Sequence, residues 1–262
     1  MTRLRDTLSA VGHFRGLWFA QLLINPALFA LAAWWLTIPE AHAWQLAAAA
    51  VLALLVVIAF LLLQSQTLAR FLEWHSSGED PRAPLGMRLL AFACFFVFLL
   101  LCLRLVDAWS VQLFAYSSYL RSSAPLWLRR HLSENAADSL LGIWFWLAFW
   151  VIVPGLLFPL GAQIGRRGFR GLDGHGWRAW AHAVFSPLYW IGWIALAWLG
   201  VYLPRKLIAW VPKLQSLGAQ AISMTARFLL AWILCVTAWL VMTSLVGRFS
   251  AHRDPRPDSE RA

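Results

Sequence analysis

The sequence predicts an all-α integral membrane protein, a bundle of about six transmembrane helices. Composition is the first reason, because 61% of the 262 residues are hydrophobic and only 13% are charged, with a mean hydropathy of +0.64. A soluble domain carries about 25% charged residues, and one soluble core could not bury this apolar excess. The second reason is the 18 Trp residues, since Trp concentrates where membrane meets water. The third is a series of apolar runs, each with the roughly 20 residues that a spanning helix needs.

Each run is predicted to be a helix, because the runs lack the alternation of barrel strands and lipid cannot satisfy open backbone groups. The first run continues beyond the roughly 7–15 apolar residues of a signal peptide, so we interpret it as a retained span. Together the runs form one transmembrane domain over 1–252, followed by a charged, disordered cytoplasmic tail over 253–262. The predicted spans are 16–38, 44–68, 87–108, 139–163, 179–202 and 226–247.

Topology follows from the basic residues. Most Lys and Arg lie at the N terminus, after spans two and four, and at the C terminus, whereas the loop after span one has none. This excess predicts that both termini are cytoplasmic in a multi-pass protein of the plasma (inner) membrane. The net charge of +10 is explained by this placement and by anionic lipid, so we do not expect nucleic-acid binding.

Two long outer connections, 116–138 and 203–225, mix Pro, basic residues, Trp and Leu. In the second, apolar residues recur at intervals of three and four, and Pro212 would kink a helix there. We therefore predict two interfacial amphipathic helices on the outer side, acting either as a cap over the bundle or as a gate. The residues that carry the spacing are Leu203, Leu207, Trp210, Leu214 and Leu217.

The even-numbered spans end in similar sequences, which suggests an internal repeat. Each end has a polar residue, an aliphatic one, a small one, Arg and then Phe, over 66–71, 163–169 and 244–249. The pattern indicates three repeated helix hairpins. Charge placement and interfacial aromatics could also produce it without a repeat. Repeats matter because transporter sites often lie at repeat interfaces.

Polar residues beside prolines are the first candidate binding site. Gln21 and Asn25 lie one turn apart on span one, and Pro26 frees a backbone carbonyl and bends that helix. In span five, His182 and Ser186 have the same spacing before a proline. These four side chains either form interhelical hydrogen bonds or line a polar pocket in the bundle.

Arg104 and Asp107 are a second candidate, since charges at i and i+3 can pair on one helix face. They form either an interfacial ion pair or a gate. No carboxylate occupies the middle of a predicted span, which argues against proton-driven transport.

The glycine-rich loop over 161–176 is a third candidate, with Arg166, Arg167 and Arg170 placed to meet a phosphate or an anionic lipid headgroup. It lacks the Gly-Lys-Ser/Thr of a nucleotide P-loop. A flexible basic loop is the alternative.

A metal site is the fourth candidate. His75, His175 and His252 each lie two residues from an acid, and they could hold zinc or iron if the three ends converge. A pair of this spacing in a solvated loop is a weak signal, and we predict no cofactor.

The residues thus favour a protein that binds or translocates a small molecule or lipid. One alternative is a non-catalytic membrane subunit or scaffold with a partner subunit or a second copy of the chain. Another is a membrane enzyme acting on lipid at the cytoplasmic face, although no catalytic motif stands out. The lipid bilayer and its anionic lipids are the predicted partners.

Overall fold

The computed structural model describes residues 2–38, 42–76, 82–115, 119, 122–126, 134–212 and 216–251. Within these ranges helix is the only regular secondary structure, which confirms the all-α prediction. Two π-helical segments, Ala148–Ile152 and Trp198–Tyr202, and a 3-10 segment, Gly168–Leu172, connect α-helices. The α-helices are α1 (Thr2–His13), α2 (Arg15–Trp35), α3 (Ala43–His75), α4 (Leu85–Ala115), α5 (Glu134–Leu147), α6 (Val153–Arg167), α7 (Gly174–Val184), α8 (Pro187–Ala197), α9 (Leu203–Ala209) and α10 (Leu217–Ser250).

Six stretches of the described chain are long and apolar enough to cross a membrane, as predicted. The two longest described α-helices are much longer than a bilayer requires, since α3 has 33 residues and α10 has 34. At about 1.5 Å per residue each is about 50 Å long, against about 30 Å of hydrocarbon. Both helices therefore extend well beyond the apolar layer. The stretches are Arg15–Trp35, Ala43–His75, Leu85–Gln112, Asp138–Leu172, Pro187–Ala209 and Leu217–Ser250.

The residues of predicted span five, 179–202, do not form one continuous helix. The stretch long and apolar enough to cross a membrane begins at Pro187, and the residues before it form the separate helix α7. Ser186 is extended, with φ −87° and ψ 116°, because proline disfavours helical backbone at the residue before it. His182 and Ser186 therefore do not lie one turn apart on a continuous helix.

The structure also corrects the extent of the predicted outer helix over 203–217. Its first part, α9, continues span five, and its last residue begins α10, where the Ser216 hydroxyl accepts a hydrogen bond from the Ala219 N–H at 3.2 Å. The spacing of three and four belongs to the end of one spanning helix and the beginning of another, and Pro212 falls in the connection. Most of the other predicted outer helix, and the tail over 253–262, lie outside the described residues.

The chain divides into two compact units, unit 1 comprising residues 1–93 and 159–262, and unit 2 comprising residues 94–158. Unit 1 is organised around α10, which packs against α1, α2, α3, α7, α8 and α9. In the apolar window of α10, 56% of residues are buried, against 6–22% in the other spans, so α10 is the central helix of unit 1.

Two prolines in unit 1 each leave a backbone carbonyl without its helical donor, and α10 supplies a donor to both. Pro26 has no N–H for the Leu22 carbonyl, which accepts a hydrogen bond from the Trp232 indole at 3.2 Å instead. Pro204 likewise cannot serve the Gly200 carbonyl, in the π-helical segment, which accepts from the Cys235 thiol at 3.1 Å. The last helix thus completes the hydrogen bonding of spans one and five.

Trp232→Phe is expected to lower the free energy of unfolding by about 1 kcal/mol, because the Leu22 carbonyl loses its donor inside the bundle. Pro26→Ala restores an N–H to the helix, so in that background Trp232→Phe should cost much less. Thermal unfolding of the four proteins in detergent measures this coupling, with the exposed Trp44→Phe as a control. If Trp232→Phe lowered the free energy of unfolding equally in the wild type and in Pro26→Ala, the Trp232 indole would not be the donor that replaces the missing N–H of Pro26.

Candidate functional site

A polar cluster lies between α2, α3 and α10 in unit 1. The Gln21 amide donates to Thr67 Oγ1 at 2.8 Å and to Gln64 Oε1 at 3.3 Å, and the Asn25 amide donates to Gln21 Oε1. The Trp239 indole donates to Gln64 Oε1 at 3.0 Å. Gln21 and Thr67 are completely buried, so these bonds are made away from water.

The structure therefore brings the predicted pair Gln21 and Asn25 together, and it adds three residues that the sequence analysis missed. A signal for two of them was present, since Gln64 and Thr67 are polar residues three apart in a predicted span. These side chains hydrogen-bond to one another, an arrangement that favours helix packing over an open pocket.

His182 and Ser186 do not join this cluster through any described hydrogen bond. His182 Nδ1 lies 3.1 Å from the Phe249 carbonyl, which links α7 to α10. The Ser186 carbonyl accepts from the Tyr189 N–H at 3.1 Å, within the first turn of α8. The two proline-centred patches of the sequence thus contribute to different contacts.

Arg104 and Asp107 pair as their spacing indicates, within unit 2. Arg104 Nη1 lies 2.9 Å from Asp107 Oδ2, and the side chains are 83% and 54% exposed. An exposed pair of this kind contributes little to stability, about 0–1 kcal/mol.

One end of unit 1 carries most of its described charges. We call it the basic end: the α1–α2 turn, the end of α3, the start of α4, the segment from the end of α6 to the start of α8, and the end of α10. Several contacts join these parts. Gln163 Nε2 donates to the Ser250 carbonyl at 2.9 Å, and Arg166 Nη1 donates to Ser76 Oγ at 2.9 Å. The ends of spans two, four and six therefore meet.

Two arginines of the basic end are buried and bind protein groups. Arg88 is 5% exposed, and its Nε donates to the Gly165 carbonyl at 2.7 Å. Arg166, which the sequence suggested as an anion ligand, is 6% exposed and bonded to α3. Both side chains tie α6 to its neighbours, and neither is presented to solvent.

The glycine-rich loop is a tightly folded segment. Gly168 has φ +62°, a conformation that L side chains rarely adopt. A Cβ at Gly171 would lie 2.6 Å from the Gln163 carbonyl carbon. Backbone geometry and packing therefore explain Gly168 and Gly171, and of the three predicted arginines only Arg170 is exposed.

Asp173 organises the end of this loop. Its Oδ1 accepts from the backbone N–H groups of His175 and Gly176 at 3.0 and 2.9 Å, which caps α7, and Arg167 lies 3.1 Å from its Oδ2. The Gly176 N–H bond above all, and then the Arg167 charge, hold the pKa of the Asp173 carboxyl below its usual value, and partial burial opposes them.

Asp173→Ala is expected to lower the free energy of unfolding by about 1 kcal/mol, because α7 loses its cap. The effect should depend on pH. A carboxyl with a lowered pKa stabilises the folded state fully above its unfolded pKa of about 3.9, and this stabilisation is lost as pH falls through the folded value. Thermal unfolding at neutral pH and at acid pH measures the difference. If Asp173→Ala lowered the free energy of unfolding equally at acid and at neutral pH, that result would contradict the charged cap.

The acid and histidine pairs do not assemble as the metal hypothesis requires in the part of the chain that is described. No group of three or more His, Cys, Asp and Glu is close enough there to hold a metal ion. His75 Nε2 lies 3.3 Å from Ser244 Oγ, His175 is exposed, and His252 lies outside the described residues. The helix ends meet without bringing together these described side chains.

The charges of the basic end do not balance. Glu73 accepts hydrogen bonds from Arg82, and Asp173 is paired with Arg167. Four arginines are exposed, and no described carboxylate lies within ion-pair distance of them: Arg15, Arg70, Arg170 and Arg178. This end therefore presents a positive surface that can attract anions.

No known protein family, curated protein sequence or solved structure matches this chain.

Proposed function

We propose that this membrane protein binds a small molecule or lipid that carries an anionic group, and that it does so at the basic end of unit 1. The observation that supports the proposal is the charge imbalance. The two described acids there are already paired, whereas four exposed arginines have no described carboxylate partner. A bound anion would neutralise them.

The middle of unit 1 offers less for a ligand. Gln21 is completely buried and bonded to Gln64 and Thr67, so a ligand there would have to replace existing hydrogen bonds. We therefore propose binding at one end of the bundle and not translocation across it.

The basic end would face the cytoplasm if the positive-inside rule holds for this chain, as we propose for a protein of the plasma membrane. The cytoplasmic leaflet is rich in anionic lipid, and a Lys or Arg near such a surface gains about 1 kcal/mol. An anionic lipid is therefore the most accessible ligand.

The proposal can be tested with purified full-length protein in detergent and a fluorescent phosphatidylglycerol. Changing Arg70 and Arg170 together to Gln should weaken binding about thirtyfold, because two charges of about 1 kcal/mol each are lost. Higher salt should weaken binding to the wild type, since it screens the exposed charges.

The matched control changes Arg205 and Lys206 to Gln, which removes the same charge from α9, away from the basic end. This variant should bind as the wild type does. Equal losses in the two double variants would refute the proposed location. Equal binding of fluorescent phosphatidylcholine and phosphatidylglycerol to the wild type would refute the charge selectivity.

A further inference from the structure

A groove lies at the corner between α1, α2 and α3, within the basic end. Its volume is about 570 Å³, and it is lined by His13, Phe14, Gly16, Leu17, Gln66 and Arg70. The sequence analysis singled out none of these residues as a site. The groove exists because the chain turns between α1 and α2 at Phe14, which has non-helical backbone angles of φ −90° and ψ 48°.

Aromatic contacts fix this turn in place. The Phe14 ring lies edge-on to Phe71 and to Trp74, with centroids 5.5 Å apart in both cases, and the His13 ring lies 4.4 Å from Trp74. Phe14 and Leu17 pack against the core formed around Phe71 and α10. The wall of the groove is thus anchored in unit 1, so the groove is a fixed feature of this corner.

The groove has a polar side and an apolar side. Gln66 and Arg70 are one turn apart on α3, and neither has a described hydrogen-bond or ion-pair partner. Leu17 and Phe14 supply the apolar side. At Gly16 the groove is open, because a Cβ built there meets no atom within 4 Å.

Its position places this groove beside lipid. It lies at the start of α2, the span with the lowest burial, 6% of its apolar window. A lipid next to α2 could enter sideways and keep its chains in the membrane. A soluble anion would leave the apolar side uncovered, and a neutral lipid would leave Arg70 without a counter-charge.

We propose that this groove holds one anionic phospholipid, with the phosphate on Arg70, Gln66 and His13 and one acyl chain passing Gly16 and Leu17. The inference rests on the proposed function and names the ligand class and the site for it. A guanidinium–phosphate contact provides charge-assisted hydrogen bonds, the strong kind, and the chain adds apolar contact.

The test is a native mass spectrometry titration of the full-length protein with phosphatidylglycerol, and with phosphatidylcholine of the same chains. The wild type should retain one phosphatidylglycerol at the lowest concentrations. Gly16→Leu, which fills the groove, and Arg70→Gln, which removes the cation, should each weaken that binding about tenfold. Both positions are exposed, so neither change disturbs the core.

Two controls match these variants. Gly86→Leu places the same side chain at another open glycine, in the first turn of α4, and Arg205→Gln removes the same charge from α9, away from the basic end. Both should bind within about twofold of the wild type. Soluble glycerol 1-phosphate, added at the lipid concentration, should not displace the lipid.

Three results would overturn the groove assignment. They are unchanged binding in Gly16→Leu, equal losses in Arg70→Gln and Arg205→Gln, and full displacement by glycerol 1-phosphate, which would indicate a phosphate site and not a lipid site. Binding of anions at the basic end is tested separately from the groove. If the double change of Arg70 and Arg170 abolishes binding while Gly16→Leu leaves it unchanged, the basic end binds anions without using this groove.

Discussion

Gly247→Leu should prevent unit 1 from packing, with a loss of about 3 kcal/mol or more in the free energy of unfolding. At this position α10 crosses α3 with the two backbones in close approach. A Cβ built on Gly247 would lie 2.7 Å from both the carbonyl carbon and the carbonyl oxygen of Phe71. Backbone atoms cannot rotate away as a flexible side chain can, so the helices must separate. Membrane helices use small residues for such crossings.

The matched control is Gly218→Leu on the same helix, where a Cβ meets no atom within 4 Å. Size-exclusion chromatography and thermal unfolding in detergent compare the two proteins. We expect a monodisperse, stable Gly218→Leu protein and an aggregated or strongly destabilised Gly247→Leu protein. Gly247→Ala should lie between them, since one methyl group already enters the clash. Similar stability in the two Leu variants would refute the close crossing.

Gln21→Leu should lower the free energy of unfolding by about 2–3 kcal/mol, because it removes several hydrogen bonds from a buried polar cluster. Gln64 loses the amide that donates to it, Asn25 loses its acceptor, and Thr67 loses the donor at 2.8 Å. Gln64 and Thr67 cannot turn to water instead, since Gln64 is 7% exposed and Thr67 is completely buried.

The double variant Gln21→Leu with Gln64→Leu separates hydrogen bonding from packing. If the cluster is a network, the double change should cost less than the sum of the single changes, because both halves of one interaction are removed together. Gln66→Leu on the same helix removes an amide without a described partner and should be nearly neutral. Thermal unfolding of these proteins measures the coupling, and strict additivity would contradict the network.

The number of spans was predictable because it depends on local composition, which the printed sequence contains. The helix break before Pro187 was not predicted, because it is stereochemical. It arises where Pro187 forces Ser186 into extended backbone. A hydropathy average does not register such a break, whereas the Ser-Pro pair in the sequence could have indicated it.

The candidate sites were also predictable only in part from the sequence. Gln21 and Asn25 were predictable as a pair, since one helix places them on one face. Their partner Trp239 was not, because it lies on another helix and only the packing of α10 against α2 and α3 brings it near. Arg166 was predicted to face an anion, yet it is buried against Ser76, since charge alone does not indicate which arginines the fold encloses.

The proline carbonyls have a consequence for the order in which this protein is made. A ribosome synthesises α2, with its open carbonyl at Leu22, and then the π-helical segment, with its open carbonyl at Gly200, before it reaches Trp232 and Cys235. Both carbonyls therefore enter the membrane without their donors. The hydrogen bonding of spans one and five is completed only when α10 packs, so a chain halted before residue 217 would leave both carbonyls without these donors.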